Sequence, residues 1–314
     1  MNFNINRNTR FKNGDISFGL SRNNRPIGDM PLGISKNQNN IVNVGNIDNN
    51  TIINNMNTIY NIIKNRVIPS YKIGILIPTT SKGRNWNNIN QTYLYNNTIR
   101  TILNTTTDKH FITFYIGIDD DDKIWNNVDN HKILFELLKN RKNIDFKFIF
   151  MRDIPKGHLT RMWNKLYQYA YNENCNYFLQ CGDDILFNTK NWLDDCIRML
   201  LYHNDIGMTG PVCNSPTLLT QTFVSRKHME IFQSYFPSQI YNWFCDDWIN
   251  DVYKPNLFFP LFVHKCINSG GEPRYNTSRL NKNEDEKAAH KNQLILKNKL
   301  VLQGKNSIKS YFGK

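Results

Sequence analysis

From Tyr71 onward, short apolar runs alternate with segments in which apolar residues recur at helical spacing. The apolar runs predict strands at Ile73–Ile77, Phe111–Ile118, Phe146–Phe150, Tyr177–Gln180, Ile206–Val212 and Phe258–Val263. The periodic segments predict helices at Asn88–Leu103, Lys132–Lys139, His158–Tyr171, Trp192–Tyr202, His228–Phe236 and Trp248–Tyr253. This alternation predicts an α/β fold with an open, mixed but mainly parallel, Rossmann-like sheet that is flanked by helices.

The same patterns divide the chain into three parts. Residues 1–50 are rich in Asn, Gly, Ser and Arg and lack periodicity, which predicts a loosely ordered extension. A helix predicted at Thr51–Arg66 leads into the main domain, which we expect over residues 51–275. A charged helix at Glu284–Leu300 belongs to a predicted peripheral tail over residues 276–314.

The charge of the chain is strongly basic, with 39 Lys and Arg against 26 Asp and Glu. A solvated basic surface and a nucleic-acid footprint both fit this balance, but no dense basic run is present, so we expect no nucleic-acid partner. Positive charge also attracts phosphate-bearing small molecules. Asn makes up about one residue in six, a bias typical of an AT-rich genome such as that of a large DNA virus.

The cysteines and the apolar runs indicate the compartment. None of the six cysteines forms a Cys-x-x-Cys pair, and a chain of this length does not depend on disulfides, so we expect reduced thiols. The N-terminus has no apolar signal region, and the longest apolar run, Leu257–Val263, is too short to cross a membrane. These features predict a soluble, cytoplasmic protein.

Acidic residues cluster at three places that follow apolar segments: Asp119–Asp122, Asp183-Asp184 and Asp246-Asp247. Ligands of open α/β sheets bind beyond the carboxyl ends of the strands, where these residues fall. Adjacent carboxylates are costly unless a cation or a proton compensates them, and Mg²⁺ and Mn²⁺ prefer oxygen ligands. The clusters therefore predict a site for a divalent cation and phosphates, although Asp119–Asp122 equally fits a turn.

Four segments of the chain resemble successive motifs of the GT-A glycosyltransferases: Ile73–Arg84, Phe111–Asp122, Lys156–Phe187 and Thr220–Tyr253. The resemblance extends from about Lys72 to Tyr275, roughly two-thirds of the chain. It implies a GT-A fold and a glycosyltransferase that uses a nucleotide-diphosphate sugar, for which we expect a UDP-sugar. It also implies Mn²⁺ or Mg²⁺ as cofactor and a glycan or another hydroxyl compound as acceptor.

The resemblance assigns roles to individual residues. The residues expected to bind the donor nucleotide are Pro78, Thr79, Thr80, Arg84, Asp119, Arg161 and Asp183. The Asp-x-Asp motif of the family corresponds to Gly182-Asp183-Asp184, in which Asp184 is the expected metal ligand and His264 a further one. Gly182 departs from the motif by replacing its first acid, which leaves fewer carboxylates for a metal and puts strict metal dependence in question.

The acidic pair Asp246-Asp247 matches the position of the catalytic base in inverting members of the family. An acceptor hydroxyl is a poor nucleophile until a carboxylate takes its proton. We expect Asp247 to be this base, with Asp246 as the alternative.

Two other functions remain open from the sequence. A nucleotidyltransferase would share the sheet, the metal and the nucleotide, but it usually has a Gly-rich loop after the first strand, whereas residues 79–84 contain one glycine. A non-catalytic GT-A-like domain that binds glycans or polyanions would fit the basic charge and the missing first acid of the metal motif.

Overall fold

The computed structural model describes residues 49–213, 215, 217–270 and 284–313, without the side chains of residues 284–289. The extension predicted over residues 1–50 therefore lies almost entirely outside the described residues. The division of the chain at residues 275 and 276 also falls outside them and stays a prediction.

Helices and strands alternate along the described chain as the sequence predicts. The strands are β1 (Lys72–Thr79), β2 (Phe111–Ile118), β3 (Ile144–Phe150), β4 (Tyr177–Gln180), β5 (Ile185–Phe187), β6 (Met208–Val212), β7 (Thr222–Ser225) and β8 (Phe258–Asn268). The α-helices are α1 (Asn49–Ile63), α2 (Arg100–Thr105), α3 (Val128–Glu136), α4 (Leu159–Asn172), α5 (Trp192–Tyr202), α6 (Lys227–Phe232), α7 (Cys245–Tyr253) and α8 (Glu284–Phe312). A π-helical turn, Leu94–Ile99, continues directly into α2.

All eight strands belong to one open sheet with the order β3-β2-β1-β4-β7-β6-β8-β5. Strands β3, β2, β1 and β4 are parallel neighbours, and β6 pairs in parallel with β8. Strand β7 runs antiparallel between β4 and β6, and β5 pairs antiparallel with β8. This arrangement confirms the predicted open, mixed and mainly parallel sheet. It also brings the carboxyl ends of β1, β2 and β4 to one edge.

Hydrophobic side chains are buried on both faces of the sheet, which is why the strands appear in the sequence as continuous apolar runs. In β1, Ile73, Ile75 and Ile77 enter one core, whereas Leu76 enters the other, as the two-residue period of a strand requires. The first core is covered by α1, α2, α3 and α5. The second core is covered by α4, α6, α7 and α8.

The C-terminal helix α8 is longer than the predicted segment Glu284–Leu300. Its residues Leu300 and Ile308 are buried in the second core beside residues of α7. Lys297 of α8 also donates a 2.8 Å hydrogen bond to Asp251 of α7. In the described part of the chain, none of the helices combines the length and the apolar character that crossing a bilayer requires.

Candidate functional site

The loops that follow β1 and β2 are joined by the buried carboxylate of Asp122. It accepts hydrogen bonds from the hydroxyls of Thr80 (3.0 Å) and Ser81 (2.8 Å). It also accepts from the backbone N–H groups of Ile124 (3.0 Å) and Trp125 (2.9 Å). Hydrogen-bond donors thus compensate this carboxylate. Asp122 therefore holds Thr80, a predicted donor-binding residue, in a fixed loop.

Lysines compensate two further acids of the second loop, Asp119 and Asp121. Asp119 is buried, and its Oδ2 lies 3.8 Å from Nζ of Lys82. The same ammonium group lies 2.6 Å from Oδ1 of the exposed Asp121, which also contacts Lys156. Hydrogen bonds from Lys156 and Lys82 lower the pKa of Asp121 to about 2. Asp119 and Asp121 therefore form an ion-pair network with Lys82 and Lys156, in which Asp119 is the buried acid.

A buried hydrogen bond joins the ends of β1 and β4. The hydroxyl of Thr79 donates to Oδ2 of Asp183 over 2.6 Å, and both residues are almost fully buried. Pro78 precedes Thr79 in the buried part of β1. The structure thus brings together Pro78, Thr79 and Asp183, three residues that the sequence predicts at the donor nucleotide.

The carboxylate of Asp184 is packed between two glycines. A Cβ atom at Gly182 would lie 2.8 Å from Oδ1 of Asp184, and a Cβ atom at Gly270 would lie 1.7 Å from Oδ2. The backbone of this region is fixed as well, because Ser269 donates to the Asp184 carbonyl from its N–H (2.9 Å) and its hydroxyl (3.0 Å). An aspartate at position 182 would therefore displace Asp184, which is a physical reason for the departure from the Asp-x-Asp motif.

The two predicted basic donor residues lie in different parts of the site. Arg84 donates a 3.0 Å hydrogen bond to the carbonyl of Gly270 and so reaches the segment that packs on Asp184. Arg161 is exposed in the first turn of α4. Burial, and secondarily the charge of Arg161, lower the pKa of His158, which precedes α4. Arg84 is therefore close to Asp184, whereas Arg161 faces solvent at the start of α4.

The structure does not bring His264 to Asp184, which corrects the expectation of a shared metal site. Nε2 of His264 lies 2.8 Å from Oδ2 of Asp195, and Nδ1 lies 3.1 Å from the hydroxyl of Thr189. His264 also precedes Ser269, the residue that contacts Asp184, by five positions, on the order of 15 Å of extended chain. His264 thus contacts Asp195 of α5 and Thr189, away from Asp184.

The pair Asp246-Asp247 begins helix α7. The side chain of Asn250 bonds both the N–H (2.9 Å) and the carbonyl (2.8 Å) of Leu219, and it donates to the Asp246 carbonyl (2.8 Å). Because Leu219 precedes β7, which runs antiparallel to β4, these bonds fix the start of α7 at the carboxyl edge of β4. Both candidate bases therefore lie on the edge of the sheet where Asp183 and Asp184 also lie.

The electrostatics of the pair single out Asp246. Burial, and secondarily the charge of Asp247, raise the pKa of Asp246 to about 7. The thiol of Cys245, 3.8 Å from Oδ1, acts in the opposite direction but does not offset burial. A carboxylate that changes charge near neutral pH is suited to accept and release protons.

Two residues of this edge have no signal in the sequence. Gln221 accepts the N–H of Gly182 over 2.8 Å, although the family resemblance assigns it no role. Gly270 packs on Asp184 although 86 positions separate them, a contact that only the pairing of β5 with β8 creates. Among the described residues, no group of three or more His, Cys, Asp or Glu side chains is arranged to hold a metal ion.

Solved structures of other proteins are similar to this chain in fold. No family model matches the chain, and no curated protein matches its sequence. Among solved structures, it is similar to S. aureus TarS 1-349 (11% identity, TM-score 0.43, 62% of this chain and 60% of that one). A longer S. aureus TarS structure gives 12% identity, a TM-score of 0.43 and coverage of 62% and 36%. The chain is also similar to GalNAc-T7 with UDP, GalNAc and Mn2+, with 8% identity and a TM-score of 0.47. This match covers 63% of this chain and 44% of that one.

This chain spans less than two thirds of each of these structures, 60%, 36% and 44% of their lengths.

The packing of Asp184 against glycine predicts a change in stability that can be measured without an enzyme assay. Gly270→Ala places a methyl group against the Asp184 carboxylate, and we expect a loss of about 1–3 kcal/mol in the free energy of unfolding. The nearest clashing atoms belong to the carboxylate, whereas the Asp184 Cβ lies at 2.7 Å and stays in alanine, so the loss is expected to shrink but not to vanish in an Asp184→Ala background. Urea denaturation of the two single variants and the double variant measures this coupling.

Gly313→Ala is the matched control, because a Cβ atom at Gly313 meets its nearest neighbour at 3.5 Å, an ordinary contact. An equal cost of Gly270→Ala in both backgrounds would show that Gly270 does not pack on the carboxylate.

Proposed function

We propose that this protein is a glycosyltransferase that moves a sugar from a nucleotide-diphosphate donor, a UDP-sugar, to a hydroxyl group of a glycan or another acceptor. The observation that carries the proposal is the position of Asp246 on the edge of the sheet that also holds Asp183 and Asp184, and burial raises its pKa to about 7. One edge of the sheet thus combines a proton acceptor with carboxylates suited to a cation and its phosphates.

The donor side of the proposed site consists of the ends of β1, β2 and β4. Thr79 and Asp183 form its buried floor, and Asp119 lies at the end of β2. Arg84, fixed against Gly270, supplies positive charge near Asp184. The net charge of +13 further favours an anionic donor over a neutral one.

The residues present fit a divalent cation, Mn²⁺ or Mg²⁺. Mg²⁺ is commonly held by one or two carboxylates together with substrate phosphates, so a cage of three protein ligands is not required. Asp184, with Asp183 beside it, would hold the cation by its hard oxygen atoms. When bound, such a cation stabilises the negative charge that develops on the leaving nucleoside diphosphate.

The acceptor side of the proposed site is the start of α7. Asp246 takes the proton of the acceptor hydroxyl as the oxygen attacks the anomeric carbon, and the bond to the diphosphate breaks with inversion. The sequence favours Asp247 as this base. The pKa of Asp246 leads us to propose Asp246 instead, with Asp247 as the neighbouring charge that raises it.

The first test is a panel of UDP-, GDP- and dTDP-sugars with Mn²⁺, assayed for released nucleoside diphosphate with EDTA as control. We expect metal-dependent release from a UDP-sugar, because slow donor hydrolysis needs no known acceptor. Pyrophosphate release from a nucleoside triphosphate would indicate a nucleotidyltransferase. Glycan binding without nucleotide binding would indicate the non-catalytic domain.

The base assignment predicts the pH dependence of the reaction. Below pH 7 Asp246 is protonated and cannot accept a proton, so kcat/KM should fall about tenfold per pH unit below that value. Asp246→Asn should lower kcat by roughly 10²- to 10⁴-fold. The control is Asp145→Asn, on the exposed side of β3. An unchanged pH profile in Asp246→Asn would eliminate Asp246 as the base.

The same pKa predicts a stability effect. A folded-state pKa raised from 3.8 to about 7 means that the folded protein binds the proton more tightly than the unfolded chain does. The contribution of this proton to the free energy of unfolding is fully present below pH 4. It is lost as the pH rises through 7. Asp246→Asn should therefore gain thermal stability relative to the wild type between pH 4.5 and pH 8. A pH-independent difference in Tm would contradict the raised pKa.

A further inference from the structure

Gln221 reaches the Gly182-Asp183-Asp184 turn from the opposite strand. It directly precedes β7 and is 4% exposed. Its Oε1 accepts the N–H of Gly182 over 2.8 Å, and its Nε2 donates to the hydroxyl of Thr220 over 3.2 Å. Since a backbone N–H can only donate, the oxygen of the carboxamide must face Gly182, so the orientation of the amide is defined.

The backbone of Gln221 is held as tightly as its side chain. A Cβ atom at Gly210 of β6 would lie 2.5 Å from the carbonyl oxygen of Gln221, so only glycine permits this approach. On the other side, Thr222 continues into β7, where it pairs with Gln180 of β4. Strands β4, β6 and β7 thus fix the position from which the carboxamide acts.

The turn that Gln221 reaches has little freedom elsewhere. Asp183 is held by Thr79, and the Asp184 carboxylate fills the space between Gly182 and Gly270. A rotation of the Gly182 peptide would therefore move the Asp184 carboxylate out of its packing. The hydrogen bond from Gly182 to Gln221 opposes that rotation.

We propose that Gln221 is a positioning residue that sets the direction of the Asp184 carboxylate toward the cation and the diphosphate of the donor. The inference rests on the proposed function, and it adds a residue to which the family resemblance assigns no role. Gln221 itself does not touch the donor in this assignment. It acts through the Gly182 N–H, at the point where the chain lacks the first acid of the metal motif.

The test compares Gln221→Leu, which removes the acceptor, with Gln221→Glu, which keeps a carboxylate oxygen to accept the Gly182 N–H. Gln168→Leu on the exposed side of α4 is the matched control. The first measurement is amide hydrogen exchange in the protein without ligands. Exchange at Gly182 should be about tenfold faster in Gln221→Leu, as the loss of one hydrogen bond requires, and within about threefold of the wild type in Gln221→Glu.

The second measurement is UDP binding by calorimetry with and without Mn²⁺. In Gln221→Leu the affinity with Mn²⁺ should fall about tenfold, while the affinity without metal stays unchanged. Gln221→Glu should retain the metal-dependent gain. An equal loss in both conditions, or faster exchange throughout β4, would show a general structural role and overturn the inference.

These outcomes separate the inference from the proposed function. Wild-type protein that fails to bind UDP with Mn²⁺ would refute the proposed donor and metal, whatever the variants do. Wild-type protein that binds UDP with Mn²⁺, together with a Gln221→Leu variant that matches it in both measurements, would refute the role of Gln221 alone.

Discussion

The crowding of carboxylates at one edge of the sheet is the constraint on which the rest of the structure depends. Three of these carboxylates are compensated in different ways. Backbone and hydroxyl donors surround Asp122, lysines neutralise Asp121, and the Thr79 hydroxyl bonds Asp183. Among the described residues, the carboxylate of Asp246 is contacted only by the Cys245 thiol, at 3.8 Å, and burial raises its pKa to about 7. The acids that are bonded by hydroxyls, backbone N–H groups and lysines hold the loops at this edge in place, beside the residues of the proposed site.

Much of the fold could be predicted from the sequence because its central strands are buried on both faces. The runs Phe111–Ile118 and Tyr177–Gln180 match β2 and β4 in the structure, and Trp192–Tyr202 matches α5. Strands β5 and β7 were not predicted, since they are three and four residues long and are formed by pairing with β8 and β4. The pattern of hydrophobic and polar residues within a short segment does not show which distant strand it pairs with.

The candidate site could be predicted in position but not in detail. Strand ends located the acidic clusters, because parallel strands present their carboxyl ends at one edge. The partners of each acid could not be predicted, since Asp183 meets Thr79 and Asp184 meets Gly270 across long stretches of chain. The prediction for His264 was wrong for the same reason. A histidine near the end of a strand resembles a ligand in sequence, whereas its Asp195 and Thr189 partners appear only in the fold.

Gly182 connects these observations. The position lacks an acid, which from sequence alone suggests a weakened metal site. In the structure, its missing side chain leaves room for the Asp184 carboxylate, and its N–H is bound by Gln221. An acid at position 182 would add a charge but displace the carboxylate beside it. In the proposed site the glycine at position 182 thus leaves Asp184, with Asp183 beside it, and one or two carboxylates are enough for a cation that is shared with diphosphate oxygens.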